Sequence, residues 1–246
     1  MRFSKLYRFN IAQLWRSPAI KAFVIVVVCG LVWLAVARKL PESKLVEQLC
    51  FVFIPVYVTV VTGGSIIEKT ERPMMELILA KPFSRRDIIL ADYLSVVSVF
   101  VVTVLFLSIG LWLVFGLRVS EWGVGPIAFF FSSAASIIIL YSYIILTGLL
   151  IRSASIVIMV WVGYVYFGVS LLEVGELWMS KNGSQMPRLL YDILYSFLPH
   201  LLGIYRSTRD IFLNSTWNVI PIITSGISSI LVLGVAIAYL NRKDVD

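Results

Sequence analysis

GPIAFFFSSAASIIILYSYIILTGLLIRSASIVIMVWVGYVYFGVSLL, residues Gly125–Leu172, carries one charge, Arg152, in an otherwise uncharged run. As a single helix it would measure roughly 70 Å at 1.5 Å per residue, more than twice the roughly 30 Å of a bilayer's hydrocarbon core. The chain must therefore fold back at Arg152-Ser153, with the guanidinium at the water interface. Two membrane-length helices follow from that one charge, Gly125–Ile151 and Ser153–Leu172.

Four more apolar runs flank this pair: Ala19–Ala37, Leu45–Ile67, Ile89–Leu117, and Val219–Leu240 inside the uncharged stretch Ile211–Asn241. In the third, sixteen of the residues from Val96 to Leu117 are Val, Leu, Ile or Phe. Each contributes about −0.3 to −0.6 kcal/mol to insertion at the helix centre, so the sum outweighs the roughly +3 kcal/mol of one central charge. The composition agrees: 59% of the 246 residues are hydrophobic and 14% charged, against roughly 25% charged in soluble domains. The expectation is an all-α polytopic membrane protein with six transmembrane helices. The net charge of +7 fits basic residues beside spans, which face the cytoplasm and anionic lipid, so no nucleic-acid partner is expected. Cys29 and Cys50 have no metal-ligand spacing and read as small hydrophobes. No cleavable signal peptide is expected, because the first apolar run has no small-residue cleavage site.

With the N-terminus inside, the inner segments hold 13 Lys and Arg residues and the outer segments 8, four of those in the long last loop. Positive charge marks the cytoplasmic side, so both termini are placed inside. Residues 2–16, RFSKLYRFNIAQLWR, put Phe3, Leu6, Tyr7, Ile11, Leu14 and Trp15 on one stripe, flanked by Arg2, Lys5 and Arg8. That is the pattern of a helix lying in the headgroup plane as a lipid anchor, or of a connecting helix that also touches a cytoplasmic partner. Ser17-Pro18 ends it and turns the chain into the bilayer. Residues 1–18 are thus one unit and residues 19–246 the six-span unit.

The densest charged segment, Glu68–Asp92 (EKTERPMMELILAKPFSRRDIILAD), lies between the second and third spans. Gly63-Gly64-Ser65 before it allows bending or close packing. Glu68, Lys69, Glu71 and Arg72 leave the membrane, and Pro73 suits the first turn of a short helix. Met74, Met75, Leu77, Ile78 and Leu79 form an apolar patch beside Glu76. Pro82 stops that helix, Ser84 is an N-cap, and Asp87 can reach back to it. The next helix starts at Arg85 and runs unbroken into the third span. Residues 68–88 therefore read as a helix–break–helix elbow whose Met and Leu side chains can fill a partner's groove. An ordinary basic, topology-setting loop is the plainer alternative.

The order of residues in this elbow resembles the first cytoplasmic loop of the permease subunits of ABC-2 type ATP-binding cassette transporters. In that family the loop reads Glu-basic, a Gly-Thr-like turn, Glu-Leu-Leu, Pro-(Val)-Ser-Arg, a hydrophobic start and Gly-Lys. Glu68, Glu76, Leu77, Leu79, Pro82, Ser84, Arg85, Ile88 and Leu90 fall on the pattern, whereas Arg72-Pro73 and Ala91-Asp92 depart from it. The six spans and the chain length extend the resemblance over the whole sequence. It implies an exporter subunit in the plasma membrane that dimerises with itself or a similar permease. A separate P-loop ATPase would bind ATP and Mg beneath it. The implied ATPase contacts are Glu68, Glu71, Met74, Met75, Glu76, Leu77, Ile78 and Leu79, with Arg85 and Arg86 at the rim. The outer region 186–210, with Leu198-Pro199-His200, resembles the family's re-entrant segment; an interfacial amphipathic helix is the alternative.

The chain has no G-x-x-x-x-G-K-[ST], no H-E-x-x-H and no G-x-S-x-G, so no enzymatic activity and no cofactor are expected in it. His200 reads as structural, and Glu173 with Glu176 as a solvated helix end. Trp161, Tyr164 and Tyr166 in the fifth span are candidates to line a substrate path, with helix or lipid packing as the alternative. Asp92 is placed at the cytoplasmic lip of the third span, which leaves the spans without charge. Charge-free spans argue against an ion-coupled secondary carrier, since such carriers bury ionisable groups. An apolar pathway also fits an amphiphilic, lipid-like or peptide substrate better than a small ion. A non-transporting scaffold or maturation subunit with an ATPase-linked fold would share the same elbow.

Overall fold

The computed structural model describes residues 2–36, 43–63, 65, 67, 84–119, 125–168, 201, 203–204 and 220–242. Every element among them is helical: α1 (Arg2–Arg16), α2 (Pro18–Val36), α3 (Ser43–Thr62), α4 (Arg85–Val119), α5 (Gly125–Ile151), α6 (Ala154–Gly163) and α7 (Ile220–Arg242). A π-helical turn, Tyr164–Gly168, continues α6. Three helices are long and apolar enough to cross a membrane: α4, α5 and α7. The pair α1 and α2, bent by 61° at Ser17, makes a fourth if taken as one span. The apolar parts of α3 (Phe53–Thr62) and of α6 with its π turn (Ala154–Phe167) are shorter. These are the helices of a membrane-embedded protein. The six spans expected from sequence thus meet three or four long helices and two shorter apolar ones among the described residues.

The distribution of polarity fits lipid as the surrounding solvent. Phe106, Ile223, Ile227, Ile230, Leu231, Ile25 and Val32 are among the large apolar side chains left exposed, while Thr59, Thr62, Asp92, Ser95, Ser132, Ser142 and Ser229 are buried. Water would disfavour so extensive an apolar surface on a soluble monomer. The buried hydroxyls mostly bond back to their own helix, as in Thr59 Oγ1 to the Pro55 carbonyl at 2.8 Å and Thr103 Oγ1 to the Val99 carbonyl at 2.8 Å. Such bonds satisfy polar groups that hydrocarbon cannot.

The centre of the bundle is α5, which packs against α3, α4, α6 and α7. Ile137, Ile139, Leu140, Tyr141, Ile144 and Ile145 are all buried, so every face of its middle is covered. On the far side of α4, Phe23 of α2 stacks on Tyr57 of α3 with centroids 4.2 Å apart, and both rings tilt against Phe100 of α4. The Tyr57 hydroxyl also donates to the Ala19 carbonyl. Aromatic contacts of this kind add roughly 0.5–1.5 kcal/mol each beyond burial; here they join α2, α3 and α4.

The hairpin at Arg152-Ser153 forms as the sequence requires. Arg152 is exposed and holds φ at 55°, the left-handed turn that reverses the chain between α5 and α6. Across it, Trp161 Nε1 donates to Thr147 Oγ1 at 2.8 Å, and Trp161 meets Tyr143 edge-on.

The apolar stripe of α1 meets protein along part of its length: Leu6, Ile11 and Leu14 are partly buried against the core, Asn10 is buried, and Tyr7 Oη lies 2.9 Å from Ser98 Oγ of α4. Trp15, from the same predicted stripe, is 42% exposed. Part of the apolar face is thus covered by α4, since an apolar helix satisfies it as well as acyl chains do.

Candidate functional site

Of the predicted elbow, residues 68–88, the structure describes 84–88. Glu68, Glu71, Met74, Met75, Glu76, Leu77, Ile78 and Leu79 lie outside the described residues. On the downstream shoulder, Ser84 and Asp87 form the reciprocal cap that their spacing calls for. The Asp87 amide donates to Ser84 Oγ at 3.1 Å, and the Ser84 amide donates to Asp87 Oδ2 at 3.2 Å. Both bonds satisfy amides that no intrahelical carbonyl reaches, and the carboxylate also faces the positive end of the helix dipole. The helix they start, α4, has Arg85 and Arg86 as its first two residues, with Arg86 exposed. It continues without a break for 35 residues, about 52 Å at 1.5 Å per residue.

Seven residues into α4 lies a feature whose surroundings the sequence did not show. Asp92, expected at the water-facing edge of the third span, is 0% exposed and held between helices. Ser65, just past the end of α3, donates from Oγ to Asp92 Oδ1 at 3.2 Å. Tyr141, in the middle of α5 and also fully buried, donates its hydroxyl to Asp92 Oδ2. Among the residues whose burial is described, Asp92 is the one fully buried side chain of the Asp, Glu, Lys, Arg set.

A second layer of polar contacts lies directly against this one. Tyr93 stacks on Tyr141 with centroids 6.0 Å apart and ring planes 8° from parallel. Its hydroxyl donates to the Ile138 carbonyl of α5 at 3.1 Å and lies 3.4 Å from Ser229 Oγ of α7. Ser229 in turn donates to Ser142 Oγ of α5 at 3.1 Å. Consecutive residues of α4, Asp92 and Tyr93, thus reach α3 and α5 on one side and α5 and α7 on the other. At low dielectric each of these bonds is stronger than in water, and each donor stripped of its partner is correspondingly unfavourable.

Just above the elbow α3 also approaches α6 closely. A Cβ on Gly63 would stand 2.6 Å from Ile158 Cγ1, so the glycine allows the contact that Gly63-Gly64 suggested. Of the candidate path residues, Trp161 and Tyr164 touch and Tyr166 stands apart. Trp161 is buried and hydrogen-bonded to Thr147, Tyr164 is half-buried and edge-on to Trp161, and Tyr166 is exposed in the π turn. Of the outer region 186–210, Leu201, Gly203 and Ile204 are described, and Leu201 and Ile204 are buried in the core.

The Asp92 bridge was only partly legible. Its carboxylate lies three residues into an apolar run, and Tyr141-Ser142 interrupts another; nothing in one dimension says that these two points meet. No protein-family model matches the chain, and no curated protein matches it significantly.

Proposed function

We propose that this chain is the membrane subunit of an ATP-driven exporter of the ABC-2 type. It is read as a six-span permease with both termini in the cytoplasm, re-entrant helices before the last span, and a place in the plasma membrane. It works as a dimer with itself or a similar subunit. A separate P-loop ATPase binds ATP and Mg, and its ATP-driven closure pushes on the elbow at residues 68–88. The observation that supports this most is α4. A helix of about 52 Å exceeds the roughly 30 Å hydrocarbon core by some four turns, and its capped start carries the elbow on a rigid lever. Met75, Glu76, Leu77 and Ile78 would dock on the ATPase, with Arg85 and Arg86 at the rim.

The test is purification of the tagged chain from its native membrane in mild detergent, with mass spectrometry of whatever co-elutes. A stoichiometric P-loop ATPase is expected with the unaltered chain. Leu77→Asp should express normally, and the ATPase should lose its stimulation by the membrane subunit. Undiminished stimulation in that variant would remove the elbow from the mechanism.

The buried Asp92 favours a second reading, an ion-coupled carrier, because a carboxyl inside the bundle is the group such carriers use. That reading predicts a homo-oligomer without an ATPase, and an ion gradient as the energy source in vesicles.

A further inference from the structure

We infer that Asp92 and Tyr141 are positioning residues that join the elbow's two legs to the centre of the bundle, so that α3, α4, α5 and α7 respond to it as one body. The inference depends on the permease reading for the source of the force; the bridge itself does not.

The placement carries it. The elbow at residues 68–88 leaves the end of α3 and enters the start of α4, and a push on an unbraced elbow would splay those two helices. Ser65 and Asp92 close the gap between them on the membrane side of the elbow, with Oγ to Oδ1 at 3.2 Å. The other carboxyl oxygen is held by Tyr141 of α5. One carboxyl group therefore binds both legs and the central helix, and Tyr93 carries the connection on to Ser229 of α7. By contrast, α1 and α2 lie on the opposite side of α4 and meet it through Tyr7–Ser98 and the Phe23–Phe100 contact.

The chemistry explains why the bridge is stiff. In a buried, low-dielectric interior a hydrogen bond to a carboxyl group is strong, so parting Asp92 from Tyr141 is unfavourable. Small shifts are resisted, and a large enough one moves the whole set. Packed interiors switch between discrete arrangements in this way and do not deform smoothly.

Two measurements on the full chain in nanodiscs test this. In the first, amide hydrogen exchange is compared between the unaltered chain and Tyr141→Phe, which removes one oxygen and keeps the ring stack on Tyr93. Faster exchange at the end of α3 and the start of α4, outside the substituted helix, is expected; a change confined to α5 would overturn the bridge. In the second, ATPase stimulation is measured in the complex with whatever ATPase co-purifies. Tyr141→Phe and Asp92→Leu should keep the ATPase bound and lower its stimulation on the order of tenfold. The double variant should be no worse than Asp92→Leu alone, and Asp92→Glu should recover part of the loss. Unchanged stimulation in a complex that contains the ATPase overturns the coupling role. Absence of any ATPase from the unaltered chain overturns the permease reading instead, and the exchange measurement still decides the bridge.

Discussion

A Cβ built on Gly63 would stand 2.6 Å from Ile158 Cγ1 and 2.8 Å from the Thr59 carbonyl oxygen. One on Gly110 would meet only the end of the Leu31 side chain, at 2.5 Å. The two contacts differ in what can move. Leu31 is half-buried and can change rotamer, whereas the Thr59 oxygen belongs to the backbone of α3. Gly63→Ala should therefore lower stability by about 1–3 kcal/mol, the range for overpacking a filled site. Ile158→Ala should restore only part of it. Gly110→Ala should be close to neutral, since its displacement of Leu31 is offset by a helix-propensity gain of up to about 1 kcal/mol. Thermal unfolding in detergent, followed by tryptophan fluorescence, compares the three. Equal losses at Gly63 and Gly110 would contradict the backbone contact.

At the scale of the element, α4 depends on its first turn. Ser84→Ala removes the acceptor of the Asp87 amide, and a lost N-cap is worth about 1 kcal/mol. Faster hydrogen exchange at the Asp87 amide is the expected outcome, with Ser84→Thr close to the unaltered chain. If exchange there does not change, the cap is not what holds the start of the lever. The contrast with α1 is instructive. Its amphipathic period is as clear as the cap signal, yet the period names only a face and not what covers it. Lipid and α4 are both apolar, and the structure places Leu6, Ile11 and Leu14 against protein.

For the whole molecule, orientation follows from charge and hairpin geometry together. Arg152 ends α5 on the side where α4 begins if α4 and α5 cross in opposite directions, and the proposed topology makes that the cytoplasmic side by the excess of Lys and Arg. In a Cys29→Ala, Cys50→Ala background, Ser153→Cys in intact cells should react with a membrane-impermeant maleimide only after permeabilisation. Glu121→Cys should react at once. The reverse pattern would invert the topology and put the elbow on the wrong face for any cytoplasmic ATPase.

The sequence by itself determined the solvent, the helical class and most element bounds. Apolar runs of membrane length leave no other way to satisfy the backbone, and Gly125–Ile151 emerges as α5 with the bounds its pattern sets. It also determined the hairpin, because a single charge in an overlong run leaves one place to turn, and the Ser84–Asp87 cap, because both partners lie within four residues. Tertiary structure alone decided what is separated along the chain. Asp92 and Tyr141 are 49 residues apart, and neither local propensity nor hydropathy can tell a carboxylate snorkelling to water from one held inside by a tyrosine. That distinction belongs to the packing of α3, α4 and α5, where a hydrogen bond from another helix takes the place of water.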